Sequence, residues 1–369
     1  MKWLLGAVLL AVACGMNPPP PPPGSGAAGT GTGPTGSADA GSGGPSSSAT
    51  PEQLTSGESA GGNITLDDRN VYWAYYENAG GWKHWHYTVR AVPKTGGAPV
   101  TLAEGAGAML SAIVAQGGFV YWVMATCPQD CERFDDKLYL YRVPSGGGAL
   151  QELKVEADPG QIAVDGQRIY YRARYGRNGD LPGLWSVAVD GTDPRRLTTN
   201  GAGAGPVLVG DTIYFLDRGD NPDSTFWTAL RTVPAAGGTM TELRRETNTL
   251  VVPYSMTVHR GIVLANAQVV DQNAGPVMQA AAANEAGVWR LPLDASPWSK
   301  ILEGPRFVLS DANGGRIYWV REGCVGSGNL DGTDNRCLDE GDHRYGGVAV
   351  DDASVFFVRD GDVFRLRRQ

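Results

Sequence analysis

The sequence predicts an all-β fold, a seven-bladed β-propeller of four-stranded antiparallel blades, with a six-bladed ring as the alternative count. Three observations predict it. A short β-rich core recurs as Val71-Tyr72-Trp73, Val120-Tyr121-Trp122, Ile169-Tyr170-Tyr171, Ile213-Tyr214-Phe215, Ile262-Val263-Leu264, Ile317-Tyr318-Trp319 and Val355-Phe356-Phe357. The middle residues of successive cores are 49, 49, 44, 49, 55 and 38 residues apart, close to the 40–50 or so that one propeller blade takes. No segment carries the 3.6-residue apolar period of a helix, and turn residues punctuate the chain throughout.

The chain begins with one cation, Lys2, then an uncharged apolar run from Trp3 to Ala13, then Cys14. That run is shorter than the roughly 20 residues a helix needs to cross a hydrocarbon core, so residues 1–13 read as an export signal and not a membrane span. Leu10-Ala11-Val12-Ala13 ahead of Cys14 resembles the lipobox of bacterial lipoproteins, with Ala11 standing where the family more often has Leu. The resemblance implies cleavage before Cys14 and lipidation of its thiol. An ordinary cleavage site with an incidental cysteine is the alternative.

From Gly15 to Thr50 there is one charge, Asp39, and no aromatic residue, and prolines run from Pro18 to Pro23. So little apolar surface does not offset the entropy of ordering, which predicts that residues 14–50 are a disordered tether. The prolines make a spacer of roughly 3.1 Å per residue and the Gly/Ser-rich remainder a coil reaching on the order of 30 Å.

Residues 51–369 form the propeller. Each core follows an Asp- or Gly-rich turn, such as Asp67-Asp68, Asp165-Gly166, Gly210-Asp211, Gly314-Gly315 or Asp351-Asp352, and before the turn lies a short apolar strand such as Ile162-Ala163-Val164. This is a hairpin of strands a and b. A second hairpin follows, as in Arg90-Ala91-Val92-Pro93, Gly96-Gly97, Val100-Thr101-Leu102, or Thr232-Val233-Pro234, Gly237-Gly238, Met240 to Leu243. Glycine permits the positive φ that tight hairpins demand, and Val-Pro ends strand c where no ladder donor is needed.

The seventh repeat stops after strand c. Gln53-Leu54-Thr55-Ser56-Gly57 resembles the strand-d stretch Arg196-Leu197-Thr198-Thr199-Asn200-Gly201, so residues 52–56 are expected to complete the last blade and leave no open sheet edge. The Tyr-Trp cores, with Ile317-Tyr318-Trp319 followed by Asn329-Leu330-Asp331-Gly332-Thr333, resemble the YWTD repeats of LDL-receptor-type propellers. Val189-Asp190-Gly191-Thr192 with Arg195-Arg196-Leu197-Thr198 resembles TolB-type WD40-like repeats. Both resemblances imply blades and specify no ligand.

The cysteines after Cys14 form two close pairs, Cys127 with Cys131 and Cys324 with Cys337. In an oxidising compartment they read as two local disulfides. A four-cysteine zinc site is the rival, but the second pair lacks Cys-x-x-Cys-like spacing. Net charge is −8, and the one basic cluster is the terminal Arg365, Arg367 and Arg368. That argues against nucleic acid as a partner. The expected partners are the membrane, through the lipid anchor, and an envelope protein or glycan. No cofactor is expected, the chain is expected to be a monomer, and the outer membrane is the expected location.

In alternating strands the a–b and c–d turns leave one face and the b–c and d–a connections the other. The b–c connections are the long, varied ones, and variable loops on a rigid frame carry recognition. Trp82, His84, Trp85 and His86 are candidates there, since stacked aromatics with histidine suit a sugar ring or an aromatic side chain. The plainer alternative is that Trp85 and Tyr87 begin strand c with the histidines facing solvent. Arg172, Arg174 and Arg177, with Tyr175, are candidates for gripping a carboxylate or phosphate. Asp217, Asp220 and Asp223 lack the spacing of a calcium loop and read as a solvated loop.

No catalytic motif stands out among His84, His86, His259, His343 and their neighbours: there is no Gly-x-Ser-x-Gly elbow, zincin helix or P-loop. The reading is a binding scaffold. The alternative is a propeller hydrolase or lyase acting on polysaccharide.

Overall fold

Each of the seven recurring cores becomes the second strand of a four-stranded antiparallel blade. The computed structural model describes residues 50–368 apart from 61–63, 79–84, 109–112, 127–137, 158–159, 174–182, 200–202, 221–225, 248, 272–285, 294–295, 297, 304–307, 314, 322 and 344–345. The signal, Cys14 and the tether therefore lie outside the described residues. The described residues contain strands and turns and no helix.

In chain order, strands a to d of blade 1 are Ile64–Leu66, Asn70–Asn78, Trp85–Pro93 and Val100–Ala108, and those of blade 2 are Ile113–Gln116, Phe119–Thr126, Leu138–Pro144 and Gln151–Glu156. Blade 3 has Ala163–Val164, Arg168–Ala173, Gly183–Ala188 and Arg195–Arg196; blade 4 has Val207–Val209, Thr212–Asp220, Phe226–Pro234 and Thr241–Thr247. Blade 5 has Thr249–His259, Ile262–Asp271, Ala286–Pro292 and Ser299–Glu303; blade 6 has Val308–Asn313, Arg316–Arg321, Cys324–Asn329 and Arg336–Glu340. Blade 7 has Val348–Val350, Ser354–Arg359 and Asp362–Arg367, and its outer strand is Glu52–Gln53 from the other end of the domain. Each strand a touches the strand a of the next blade, and that of blade 7 touches that of blade 1. The ring is closed and has seven blades.

The cores are apolar without alternation because both faces of a blade are covered. Successive side chains of a strand point to opposite faces. Tyr72 packs into the cluster shared with blade 2, which holds Trp122 and Tyr141, while its neighbour Trp73 packs towards blade 7 with Leu54, Phe356 and Val363. Tyr121 likewise faces Ile169 of blade 3. Trp73, Trp122, Tyr72, Tyr121, Tyr170, Phe356 and Phe357 are fully buried, and at about 1.5–3 kcal/mol per large apolar side chain this contact between blades dominates the stability of the ring.

The turns at the ends of these strands are built by side chains. Asp67 Oδ1 accepts the backbone NH groups of Arg69 and Asn70, and its Oδ2 accepts the Tyr72 hydroxyl at 2.6 Å. Asp165 repeats this with Gln167, Arg168 and Tyr170. In blade 7 the aromatic is Phe356, and Lys94 of blade 1 supplies the partner to Asp351 instead, at 2.7 Å. Burial works to raise the Asp67 and Asp165 carboxyls, but the tyrosine and backbone hydrogen bonds outweigh it and hold both below the usual carboxylate range. Burial and the Asp67 partner in turn push the Tyr72 hydroxyl up to about 12.

The N-terminal strand closes the last blade as expected, its ladder spanning Glu52–Gln53 and its end repeating the hydrogen bonds of a strand d in blade 3. Leu54 NH donates to the Val363 carbonyl at 2.8 Å and Val363 NH donates to Thr55 Oγ1 at 2.9 Å. In blade 3, Leu197 NH donates to the Leu184 carbonyl at 2.8 Å and Leu184 NH donates to Thr198 Oγ1 at 3.1 Å. The Leu-Thr pair read from the sequence is thus one device used twice. Asp362 adds a hub, accepting from Gln53 Nε2, Thr55 Oγ1 and the Glu58 NH, and the Glu52–Arg365 and Glu58–Arg90 ion pairs flank it.

Candidate functional site

The face carrying the b–c and d–a connections is uneven in a way the strand ends define. On blades 1 to 5 the segments between strands b and c are residues 79–84, 127–137, 174–182, 221–225 and 272–285; on blades 6 and 7 they shrink to 322–323 and 360–361. The strands reach further than their apolar alternation shows. Glu77 and Asn78 pair with His86 and Trp85, Asp217 to Asp220 pair with Phe226 to Ala229, and strand b of blade 5 continues to Asp271. Backbone pairing is blind to side-chain polarity, so the hairpins run past the point where hydrophobicity stops.

Of the aromatic and histidine candidates, Trp82 and His84 lie outside the described residues. Trp85 and His86 begin strand c, and His86 sits half-buried between Glu77 and Ala106 in register. Tyr87 next to it is buried, its ring 6.5 Å from that of Trp122. The strand therefore turns Tyr87 into the core and leaves His86 half-buried. Beside it, Gly107 and Ala108 at the end of blade 1 pair with Thr126 and Ala125 of blade 2 and join the two blades into one eight-stranded sheet. Strand b of blade 2 thus ends, at Thr126, alongside the edge of blade 1. Cys127 and Cys131 are outside the described residues, while Cys324 and Cys337 form a disulfide between strands c and d of blade 6.

Among the arginine candidates, Arg172 is the penultimate residue of a b strand and is only 9% exposed, paired in register with Leu184; Arg174, Tyr175 and Arg177 lie outside the described residues. Asp217 corrects the solvated-loop expectation. It is 1% exposed in strand b and ion-paired with Arg231, which also grips Glu242. A buried carboxylate is tolerated only when paired and hydrogen-bonded, which this one is. The chain of charges ends at the surface in Arg245, stacked 4.0 Å from the Trp227 ring centre with Arg231 at 5.1 Å. The Arg245 hydrogen bond, with help from Arg231 and against the opposing effect of burial, lowers the Glu242 carboxyl from 4.5 to about 2.

One polar cluster on this face escaped the sequence reading. His343, fully buried, directs Nδ1 at the Val358 carbonyl at 3.0 Å; its Nε2 lies 3.2 Å from Asp339 Oδ2 without hydrogen-bonding it, and Arg359 Nη1 holds both Asp339 oxygens at 2.8 and 3.0 Å. A carbonyl only accepts, so Nδ1 bears the hydrogen. The group ties strand d of blade 6 to strand b of blade 7. Its three residues come from separate elements and follow no spacing, so no sequence pattern exposes them. Although histidine beside carboxylate is a catalytic pairing, a general base must reach its substrate, and this imidazole has no exposed surface.

Two further features bound what the face offers. Gln161, entering blade 3, donates to the Met256 carbonyl at 2.7 Å and accepts the Met256 NH at 2.9 Å, so an amide clamp joins blade 3 to the innermost strand of blade 5 past blade 4. A rim groove lined by Arg196, Leu197, Thr198, Thr199 and Met240 holds about 240 Å³, below the 300 Å³ or so at which small-molecule pockets begin. Among the described residues no three His, Cys, Asp or Glu side chains gather in a way that would hold a metal.

Fold and face together define the class: a seven-bladed β-propeller closed by its own N-terminal strand. Solved structures agree. The propeller domain of the Trilobed protease from Pyrococcus furiosus superposes with a TM-score of 0.55 at 11% identity, over 85% of this chain and 96% of that one. Puromycin hydrolase matches with a TM-score of 0.54 at 13% identity over 83% of this chain, which spans about half (50%) of that protein's length. TolB from Acinetobacter baumannii is also among the matches, at a TM-score of 0.44, 12% identity and 82% of this chain against 64% of that one, too loose a likeness to argue from. No protein-family model and no curated protein matches the chain. At these identities the likeness establishes the fold alone.

Proposed function

We propose that this chain is an exported lipoprotein of the cell envelope, anchored through Cys14 in the outer membrane, whose propeller binds a protein or glycan partner with its b–c face. The observation that carries the binding reading is the unequal distribution of connections. Blades of one repeat and one frame keep their a–b turns at two or three residues and their c–d turns at six, yet on the opposite face the b–c segments range from two residues to fourteen. Uniform architecture does not require that, whereas recognition does. Trp82, His84, Trp85 and His86 on blade 1 and Arg172, Arg174, Tyr175 and Arg177 on blade 3 are the proposed contacts. The Cys324–Cys337 disulfide supports an oxidising compartment.

Glycan and peptide arrays probed with the full chain test the binding reading. A ligand whose signal falls at least about tenfold, or roughly 1.4 kcal/mol, in W82A/W85A supports it; signal that persists when those residues and Arg174 and Arg177 are all replaced by alanine places binding elsewhere. The anchor is tested by fractionation. Wild type is expected with the membranes and C14A in the soluble fraction, and membrane retention of C14A defeats lipidation as the anchor.

A further inference from the structure

Strand d of blade 6 carries a bulge, and the Cys324–Cys337 bridge spans it. In register Gly326 faces Cys337 and Val325 faces Asp339, so Leu338 is an extra residue in the ladder. Blades 1, 4 and 5 make the same bulge at Leu102, Leu243 and Ile301, and their c and d strands contain no cysteine. The architecture therefore forms this bulge without a bridge, and the bridge in blade 6 adds something the fold does not require. It runs diagonally, from Cys337 on one side of the bulge to Cys324, which faces Glu340 on the other, with Asp339 between them.

From Asp339 the contacts continue into blade 7. Arg359 holds both of its oxygens, and the connection after it is tied to both tight b–c turns: Gly341 NH donates to the Gly323 carbonyl at 3.3 Å and Asp360 NH to the Asp342 carbonyl at 3.0 Å, while Val358 NH donates to the Gly347 carbonyl at 3.2 Å. Whatever fixes Asp339 thus fixes the b–c surface of blades 6 and 7. The two bridged residues differ in access, for Cys324 is only 7% exposed and Cys337 is exposed, and exposed disulfides are the labile, regulatory kind. We propose that Cys337 is a thiol–disulfide exchange site for a dithiol reductant, and that reduction there releases the Asp339 clasp and loosens the b–c surface of blades 6 and 7. A thiolate of the reductant attacks Cys337 Sγ, the S–S bond breaks, and Cys324 leaves as a thiolate that takes up a proton. The reductant's second thiolate then attacks its own sulfur in the mixed disulfide, Cys337 is released and protonated, and the reductant departs as a disulfide, so two electrons and two protons pass to the protein. The site does not depend on which ligand the b–c face binds.

The test treats the full chain with dithiothreitol in the absence of denaturant, maps alkylated cysteines by mass spectrometry and follows hydrogen exchange. Cys324 and Cys337 are expected to become alkylated in the folded protein, and the amides of Val358 and Asp360 to exchange at least about tenfold faster, while those of Ile169 and Tyr171 in blade 3 change by less than about twofold. A bridge that stays oxidised until the chain unfolds overturns the exchange site. A bridge reduced in the folded chain with unchanged exchange at Val358 and Asp360 overturns its coupling to the clasp. D339N, which leaves both sulfurs in place, should accelerate the same two amides with the bridge oxidised, and unaltered exchange in D339N removes Asp339 as the link. In C324S/C337S dithiothreitol should have no further effect on them; an effect that persists belongs to another cysteine and overturns the proposal.

Discussion

Asp362 shows how much a single carboxylate does when it gathers donors from a segment distant in sequence. It accepts from Gln53, Thr55 and Glu58, so D362A removes the acceptor for all three. A loss of about 1–3 kcal/mol is expected in urea unfolding, and a loss below about 0.5 kcal/mol would show that the hub contributes no more than an ordinary surface residue. Glu242 gives a pH dependence. Its carboxyl, lowered from 4.5 to about 2 by Arg245 and Arg231, contributes stability that is present above the unfolded value and is lost as pH falls through the folded one. The urea midpoint should therefore decline between pH 4.5 and 2, and less steeply in E242Q; parallel curves for the two proteins would count against this role. Neither role is legible in the sequence, where Asp362 is one acidic residue in a turn and Glu242 one of many on a strand.

At the scale of the element, two turn chemistries serve the same c–d position. Blades 1, 2 and 4 use Val-Pro-x-x-Gly-Gly or its near variant, with φ of +83° and +138° at Gly96 and Gly97. Blades 3 and 6 use Asp-Gly-Thr-Asp, where Arg168 ties Ser186 to Asp193 and Arg316 ties Ser327 to Asp334 in the same pattern. In both of the latter the glycine is needed twice over. Gly191 and Gly332 have φ near +85° (86° and 85°), and a Cβ would come within 2.8 Å of the Leu153 carbonyl or of Ile301 Cβ on the preceding blade. G332A should cost more than about 1 kcal/mol, read as a fall in thermal midpoint, and an unchanged midpoint would show that the neighbouring blade gives way. The Cys324–Cys337 bridge closes a sequence separation of 13 residues. Its removal in C324S/C337S is expected to cost about 2–4 kcal/mol, seen also as sensitivity of the wild-type midpoint to dithiothreitol. The glycines and the local cysteine pair were readable because turn and loop closure are local; the packing that makes Gly332 irreplaceable belongs to the next blade.

For the whole molecule, ring closure is the property on which the rest depends, and Leu54 is its apolar anchor, buried with Trp73, Val92 and Val363. L54A should cost about 2–5 kcal/mol and loosen both ends together; limited proteolysis would detect simultaneous cleavage near residue 57 and in blade 7, whereas cleavage confined to one end would show that closure is not cooperative. The sequence by itself determined the seven-fold repeat, the strand pairs within each blade and the identity of the closing strand, because alternation, turn residues and the Leu-Thr pair are short-range signals repeated along the chain. Only the tertiary structure decided that Asp217 is buried on Arg231 and that Asp339, His343 and Arg359 lock blade 6 to blade 7. Those outcomes depend on which blade lies beside which and on the direction of each strand. Contacts between residues up to about three hundred positions apart leave no periodic trace in the sequence that makes them.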